Sequence, residues 1–176
     1  MSEAAADAAR EEGGSLSEGQ VAEGEIDFSS VDPEEVASLI SSVSDKQLRE
    51  ALSSPQREAI IAEVFSRMER HFKPHVAQGV DAVIHWKVRG RPDGGADHYE
   101  VVVRDGSCIT TDQPQQDPRV TLALDGVHFM RLVTGNASGP MLFMTRKLKI
   151  DGDLMFATRI QSMFAIPATK GAAQTG

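Results

Sequence analysis

Helices packed on one face of a β-sheet, an α+β fold, is the class this sequence predicts, and two observations carry the prediction. Apolar residues recur at helical spacing up to about residue 72, and from residue 80 the period drops to two. The strands then show one apolar and one largely polar face, the pattern of a sheet covered on one side and wet on the other. At 176 residues the chain is long enough for one domain with a proper core and short for two.

Residues 1–27 are rich in Ala, Glu, Gly and Ser and nearly free of bulky side chains, so they read as a disordered acidic tail. Helical signals follow in a segment at 28–56. In VDPEEVASLISS, Asp32 is the N-cap, Pro33 takes the first helical position and Glu34 and Glu35 fill the first turn, where the helix dipole favours them. SDKQLREALS reads as a short helix capped by Ser44. Ser54 and Pro55 repeat the first device ahead of a longer helix, which presents Ile60, Val64, Phe65 and Met68 and stops before Pro74.

The strands come next. VDAVIHWKV sets Val80, Ala82, Ile84, Trp86 and Val88 on one face. GRPDGGAD is turn material, HYEVVVRD sets Tyr99, Val101 and Val103 on one face, and a short SCITT strand follows. RVTLAL offers Val120, Leu122 and Leu124, and KLKI offers Leu148 and Ile150 against Lys147 and Lys149. Between these last two, Asp125 caps a helix that carries Phe129, Leu132 and Val133 and ends at Gly135. A shorter helix starts at Pro140 with Met141, Leu142, Phe143 and Met144. A final one puts Phe156, Ile160, Met163 and Phe164 on one face, with Leu154 and Met155 to either side.

The run LVTGNASGPMLFMTRKLKIDGDLMFATRIQSMF resembles the sterol carrier protein type two domain, and DPRVTLALDGVHFMRL and VDAVIHWKV are similar to that family's earlier segments. The resemblance covers roughly residues 57–167 and leaves 168–176 as a flexible C-terminus. It implies a five-stranded sheet, helices on one face and a preformed apolar tunnel between the layers. It also implies noncatalytic binding and transfer of sterol-like, fatty acid or fatty acyl ligands. The helices between residues 33 and 53 resemble extensions on stand-alone bacterial members. The family often has glycine immediately before its KLK, where this chain has Arg146, so a different turn is expected there.

Spacing alone assigns the Met and Phe cluster to the core. The resemblance moves part of it to a ligand wall, where flexible, polarizable methionines suit lipids of several shapes. Met141, Phe143, Met144, Met155 and Phe156 are the preferred lining, joined by Phe129, Leu132 and Val133. Trp86 is open between packing and ligand contact. Gln161 stands where the family has a tunnel-associated glutamine, and it reads equally as a donor to a lipid headgroup or as a solvent-facing amide.

Charge narrows the partners. Eight of the 26 acids fall in residues 1–27 against Arg10 alone, so the remaining 18 acids face 17 bases. A folded part this near to neutral has no bulk basic field for phosphates, which argues against nucleic acid. His71 and His75 sit at i and i+4, but Pro74 between them should break the helix that would align them for a metal. No GxSxG, GxxxxGK[ST] or GxGxxG is present, and Cys108 is alone. No catalytic group, metal or cofactor is expected. With no apolar run near 18 residues and no signal core, a cytoplasmic protein is expected. Besides a lipid or other apolar small molecule, transient membrane contact stays open, as does a protein partner on the helical extension, with the cavity then merely filled.

Overall fold

Residues 32–165 are described by the computed structural model, so the segments 1–27 and 168–176 assigned above lie outside the described residues. Three helices come first: α1 (Pro33–Ser42), α2 (Asp45–Ala51) and α3 (Arg57–Arg70). Then follow β1 (Ala82–Arg89), β2 (Ala96–Arg104), β3 (Ser107–Thr111) and β4 (Val120–Asp125). The chain continues through α4 (Gly126–Val133), α5 (Gly139–Met144), β5 (Leu148–Gly152) and α6 (Leu154–Ile160), closing in a 3₁₀ turn at Gln161–Met163.

Local chemistry explains most boundaries. Asp32, Ser44, Asp125, Ser138 and Asp153 each accept a backbone N–H at the start of α1, α2, α4, α5 and α6. The start of α3 departs from expectation. Ser54 and Pro55 form a separate turn, and the helix begins at Arg57 with no side-chain cap. The Ser54 hydroxyl donates back to Ala51 O, and Arg57, the first residue of the helix, turns its guanidinium into the interior.

The sheet order is β3-β2-β1-β4-β5, with β1 and β4 parallel and the other neighbours antiparallel. Register brings Trp86 opposite both Tyr99 and Leu122, and Ile84 opposite Val101 and Val120, so one face is continuously apolar. Phe65 of α3 stacks on Tyr99 with ring centroids 3.9 Å apart and meets Phe129 of α4 at 5.4 Å. Trp86 packs edge-on against both Phe65 and Phe129.

The opposite face is less wet than the sequence suggested. With β3 at one edge and β4 beyond β1, the chain between them must cross β2 and β1. Residues 112–119 do so over that face. Glu100 is 2% exposed beneath the crossing, and its Oε2 accepts the N–H groups of Gln115 and Gln116 at 3.0 and 2.8 Å. His85 Nε2 lies 3.2 Å from the same oxygen. Burial would raise the Glu100 pKa, but the two N–H donors and His85 outweigh it and hold the carboxyl below its ordinary value.

Two positions are held by backbone geometry. Gly152 has φ +106°, and a Cβ there would stand 2.5 Å from the Arg119 carbonyl oxygen, so β5 can approach the start of β4 only without a side chain. Arg146 has φ +61°. Lys147 N–H donates to Leu142 O and Arg146 N–H to Phe143 O, the paired bonds of a Schellman ending to α5. The turn therefore keeps the left-handed form that glycine favours, contrary to the different turn expected, and arginine occupies it under strain.

Glu100→Gln should destabilise the protein by about 1–3 kcal/mol at neutral pH, because a buried charged acceptor of two N–H groups becomes a neutral one. A carboxyl with a depressed folded pKa stabilises fully above its unfolded value and loses that contribution as pH falls through the folded one. The gap between wild type and variant in urea titrations should therefore narrow as pH drops below about 4.5, and a pH-independent gap would contradict the assignment. Separately, Arg146→Gly should raise the unfolding free energy by about 1 kcal/mol by relieving the left-handed strain, checked by the same titration.

Candidate functional site

Above Trp86 the helical layer does not close. α3, α4, the end of α6 and α1 enclose an apolar cavity of ≈ 100 Å³. Its floor is buried and made of Trp86, Met130, Leu132, Ile160 and Phe164. Its rim is half-buried and made of Pro33 and Val36 of α1, Val64, Arg67 and Met68 of α3, Val133 of α4 and Gln161, with His71 just past α3. Where the resemblance implied a tunnel, the structure shows a cavity of this size. It is smaller than the roughly 150 Å³ that holds a benzene-sized guest, so a long-chain ligand requires the walls to part.

Each wall is fixed by identifiable bonds. Arg131 of α4 donates to Ile40 O and Val43 O at 3.1 and 2.9 Å and pairs with Asp45 at 2.6 Å, gripping the end of α1 and the start of α2. Asn136 donates to Ala37 O at 3.0 Å. The far end is closed where Lys73 N–H donates to Met163 O and Ala165 N–H to His71 O, with Phe72 and Phe164 in ring contact. Gly139 N–H donates to Gln161 Oε1 at 3.0 Å, joining α5 to α6. The Gln161 carbonyl is thereby used, and its NH₂ has no protein partner among the described residues.

Among the residues singled out from sequence, Trp86, Leu132, Val133 and Gln161 lie in the cavity wall. Phe129 is 0% exposed within the aromatic cluster, and Phe156 is buried with the Arg119 guanidinium 4.3 Å above its ring. Met141, Phe143, Met144 and Met155 face outward, from 41% exposed at Phe143 to 78% at Met144. The reason is geometric: α5 buries only Leu142, and α6 buries Phe156 and Ile160. The sequence reasoning did not single out Pro33, Val36, Arg67, His71, Met130, Thr134 or Ala165 as lining, and it read Val64, Met68, Ile160 and Phe164 only as apolar helix faces. A signal existed for α3, where Val64 and Met68 widen the apolar stripe beyond what Ile61 and Phe65 need. No sequence signal placed α1 beside α4.

Reactive groups are scarce. Thr134 Oγ1 is committed to Met130 O at 2.6 Å. Burial, with Glu69 nearby, pushes the Cys108 thiol up to about 12, so it stays protonated at neutral pH. His128 Nδ1 lies 2.7 Å from Asp125, where it buttresses the N-cap of α4 away from the cavity. No helix among the described residues is long and apolar enough to cross a membrane.

Comparison with known proteins agrees with this architecture. Residues 65–165 match the SCP-2 sterol transfer family. The chain belongs to that family. The match starts within α3 and ends where the cavity's far wall is pinned, so α1 and α2 lie outside it. A "Fatty acid-binding protein" of Yarrowia lipolytica is 42% identical over 50 residues, 28% of this chain and 39% of that protein. The "Oleate-induced peroxisomal protein POX18" of Candida maltosa is 44% identical over 59 residues, 34% of this chain and 46% of that one. The chain thus spans under half the length of these curated relatives. Among solved structures, a double mutant of the sec-alkyl sulfatase PisA1 from Pseudomonas sp. superposes with a TM-score of 0.51 at 16% identity, covering 59% of this chain and 16% of that one. At that identity the likeness concerns the fold alone.

Trp86 is 3% exposed and lies at the cavity floor. Its emission should be blue-shifted in the free protein and shift again when a fatty acid is titrated in. Emission like that of tryptophan in water would contradict the placement.

Proposed function

We propose that this chain binds lipid, and passes it on, by taking an apolar chain into the cavity over Trp86, without catalysis. The observation that carries the reading is the cavity wall itself: apolar from floor to rim, with its polar groups confined to Arg67, His71, Thr134 and Gln161. The name of the Yarrowia lipolytica relative, a fatty acid-binding protein, points to the same ligand class.

The mechanism is transfer of apolar surface out of water. Burying about 400 Å² of ligand at about 25 cal/mol per Å² is a gross gain on the order of 10 kcal/mol. Parting the walls and immobilising the chain offset several kcal/mol of that, leaving affinities near micromolar. Methionine suits the moving part of the wall, and Met68 supplies it at the rim. The Gln161 NH₂ and the His71 ring stand at the rim, suited to a carboxylate or hydroxyl headgroup while the tail goes inward. The same wall supports the noncatalytic reading, because among the described residues it offers no carboxylate to pair with His71 and no activated nucleophile.

The test uses Val133, half-buried at the rim. Val133→Phe should fill the cavity and weaken displacement of a fluorescent fatty acid by about tenfold or more, with the circular dichroism spectrum retained. A folded variant with wild-type affinity would exclude this cavity as the site, and lipid extracted from wild-type protein purified from its native host would identify the ligand.

A further inference from the structure

Five of the seven exposed large apolar side chains among the described residues lie between Met141 and Met155: Met141, Phe143, Met144, Leu154 and Met155. None lines the cavity. They sit on the outer surfaces of α5 and α6, whose buried sides are Leu142 on one and Phe156 and Ile160 on the other. Gly139 and Gln161 bond the two helices where α5 begins and α6 ends, and β5 joins their other ends. The exposed apolar groups therefore belong to one corner of the fold. Apolar surface concentrated in this way marks a contact site.

Charge says what the contact is with. From Gly126 to Ile150 the chain has no acid at all, and up to Ala165 it has only Asp151 and Asp153. Asp153 is matched by Arg119 at 2.9 Å. On the same stretch Arg146, Lys147, Lys149 and Arg159 are exposed, and none is in an ion pair among the described residues. Arg159 is one helical turn after Met155, so the two share a side of α6. Arg146 and Lys147 follow Met144 and Thr145 in the turn that ends α5. A folded part that is near neutral as a whole thus gathers unpaired cations beside its exposed methionines. A water-soluble protein partner could match either feature. Apolar groups ringed by long cationic side chains match the acyl boundary and the phosphates of an anionic bilayer together.

We propose that the corner formed by α5, β5 and α6 docks this protein on anionic phospholipid surfaces, with Met144 and Met155 entering the interface and Arg146, Lys147 and Arg159 meeting the phosphates. The inference is independent of what the cavity holds. Docking at α5 and α6 would bring Gln161 at the cavity rim near the bilayer, because Gln161 is bonded to the first residue of α5.

The experiment is sedimentation of the full chain with sucrose-loaded vesicles of phosphatidylcholine alone or with about 30 mol% phosphatidylserine. The wild type should partition to the anionic vesicles at least tenfold more strongly than to neutral ones, about the effect of one to two surface cations, and lose that preference at high salt. Met144→Glu with Met155→Glu should lower anionic-vesicle binding at least about tenfold, and Lys147→Glu with Arg159→Glu should abolish the preference for anionic lipid. All four side chains are exposed, so the melting temperature should hold. Should the glutamate pair unfold, Met144→Ser with Met155→Ser makes the same comparison. Uptake of a fluorescent fatty acid from solution should be unchanged in every patch variant, which separates this result from failure of the cavity. Wild type that leaves both vesicle types bare, or folded patch variants that bind as wild type does, overturns the proposal. So does a dimer in sedimentation velocity that the methionine substitutions dissolve without any vesicle binding, since the patch would then serve a second copy of the chain.

Discussion

Arg57 carries a full charge into the interior, where it is 5% exposed, and each of its five N–H donors is used. Nε donates to Asp97 at 2.8 Å, and the other four bonds go to the carbonyls of Leu52, Val88, Arg89 and Gly90. A buried guanidinium tolerates no missing partner, since removing one from a buried pair costs about 3–5 kcal/mol. The end of α2, the end of β1, the following turn and the start of β2 must therefore all converge on one point. α4 is held to the same point from the other side. A Cβ at Gly126 would stand 2.9 Å from a terminal methyl of Leu52 and 3.3 Å from the Arg57 guanidinium, so a larger first residue would press on the same two side chains.

From that convergence the cavity follows. With α3 fixed at its first residue and α4 at its own, Phe65 and Phe129 are delivered onto Tyr99 and Trp86 in one aromatic cluster, of which Trp86 reaches the cavity floor. Beyond the floor the two helices present more apolar surface than the sheet can cover, and α1, strapped by Arg131 and Asn136, supplies part of the missing wall. The bonds that hold α1 are partly exposed, and its apolar contribution to the rim is only Pro33 and Val36. The floor is thus built from fully buried contacts and the rim from weaker ones. That ordering places the capacity to widen at the rim rather than in the aromatic cluster.

Much of the fold was legible locally. The switch from a period of 3.6 to one of two located the helices and the strands, and Asp32, Ser44 and Asp125 marked helix starts as short-range hydrogen bonding requires. Where a distant group intervened, local reading failed. Ser54 and Pro55 have the chemistry of a helix start, yet α3 begins at Arg57, whose guanidinium bonds four acceptors 31 to 40 residues away. Glu100 sits among strand residues on a face that alternation assigns to water, and only the sheet order, by forcing residues 112–119 across it, explains its burial.

Methionine and phenylalanine near the C-terminal end illustrate the same division. Composition and helical spacing established that residues 141–156 carry more apolar surface than docking requires, and the family resemblance established the scaffold that bears it. Which of those side chains reach a cavity, the core or solvent was decided by helix length and by what lies beneath. α5 is six residues long and can bury one side chain, Leu142, while Phe156 is covered by Arg119 and Met144 and Met155 are left outside. The sequence by itself determined the elements and their apolar faces, because those depend on neighbours within a turn or two along the chain. The tertiary structure alone decided the cavity wall, since it joins residues from Pro33 to Ala165 whose proximity is set by a buried charge, a crossing loop and two strapped helices.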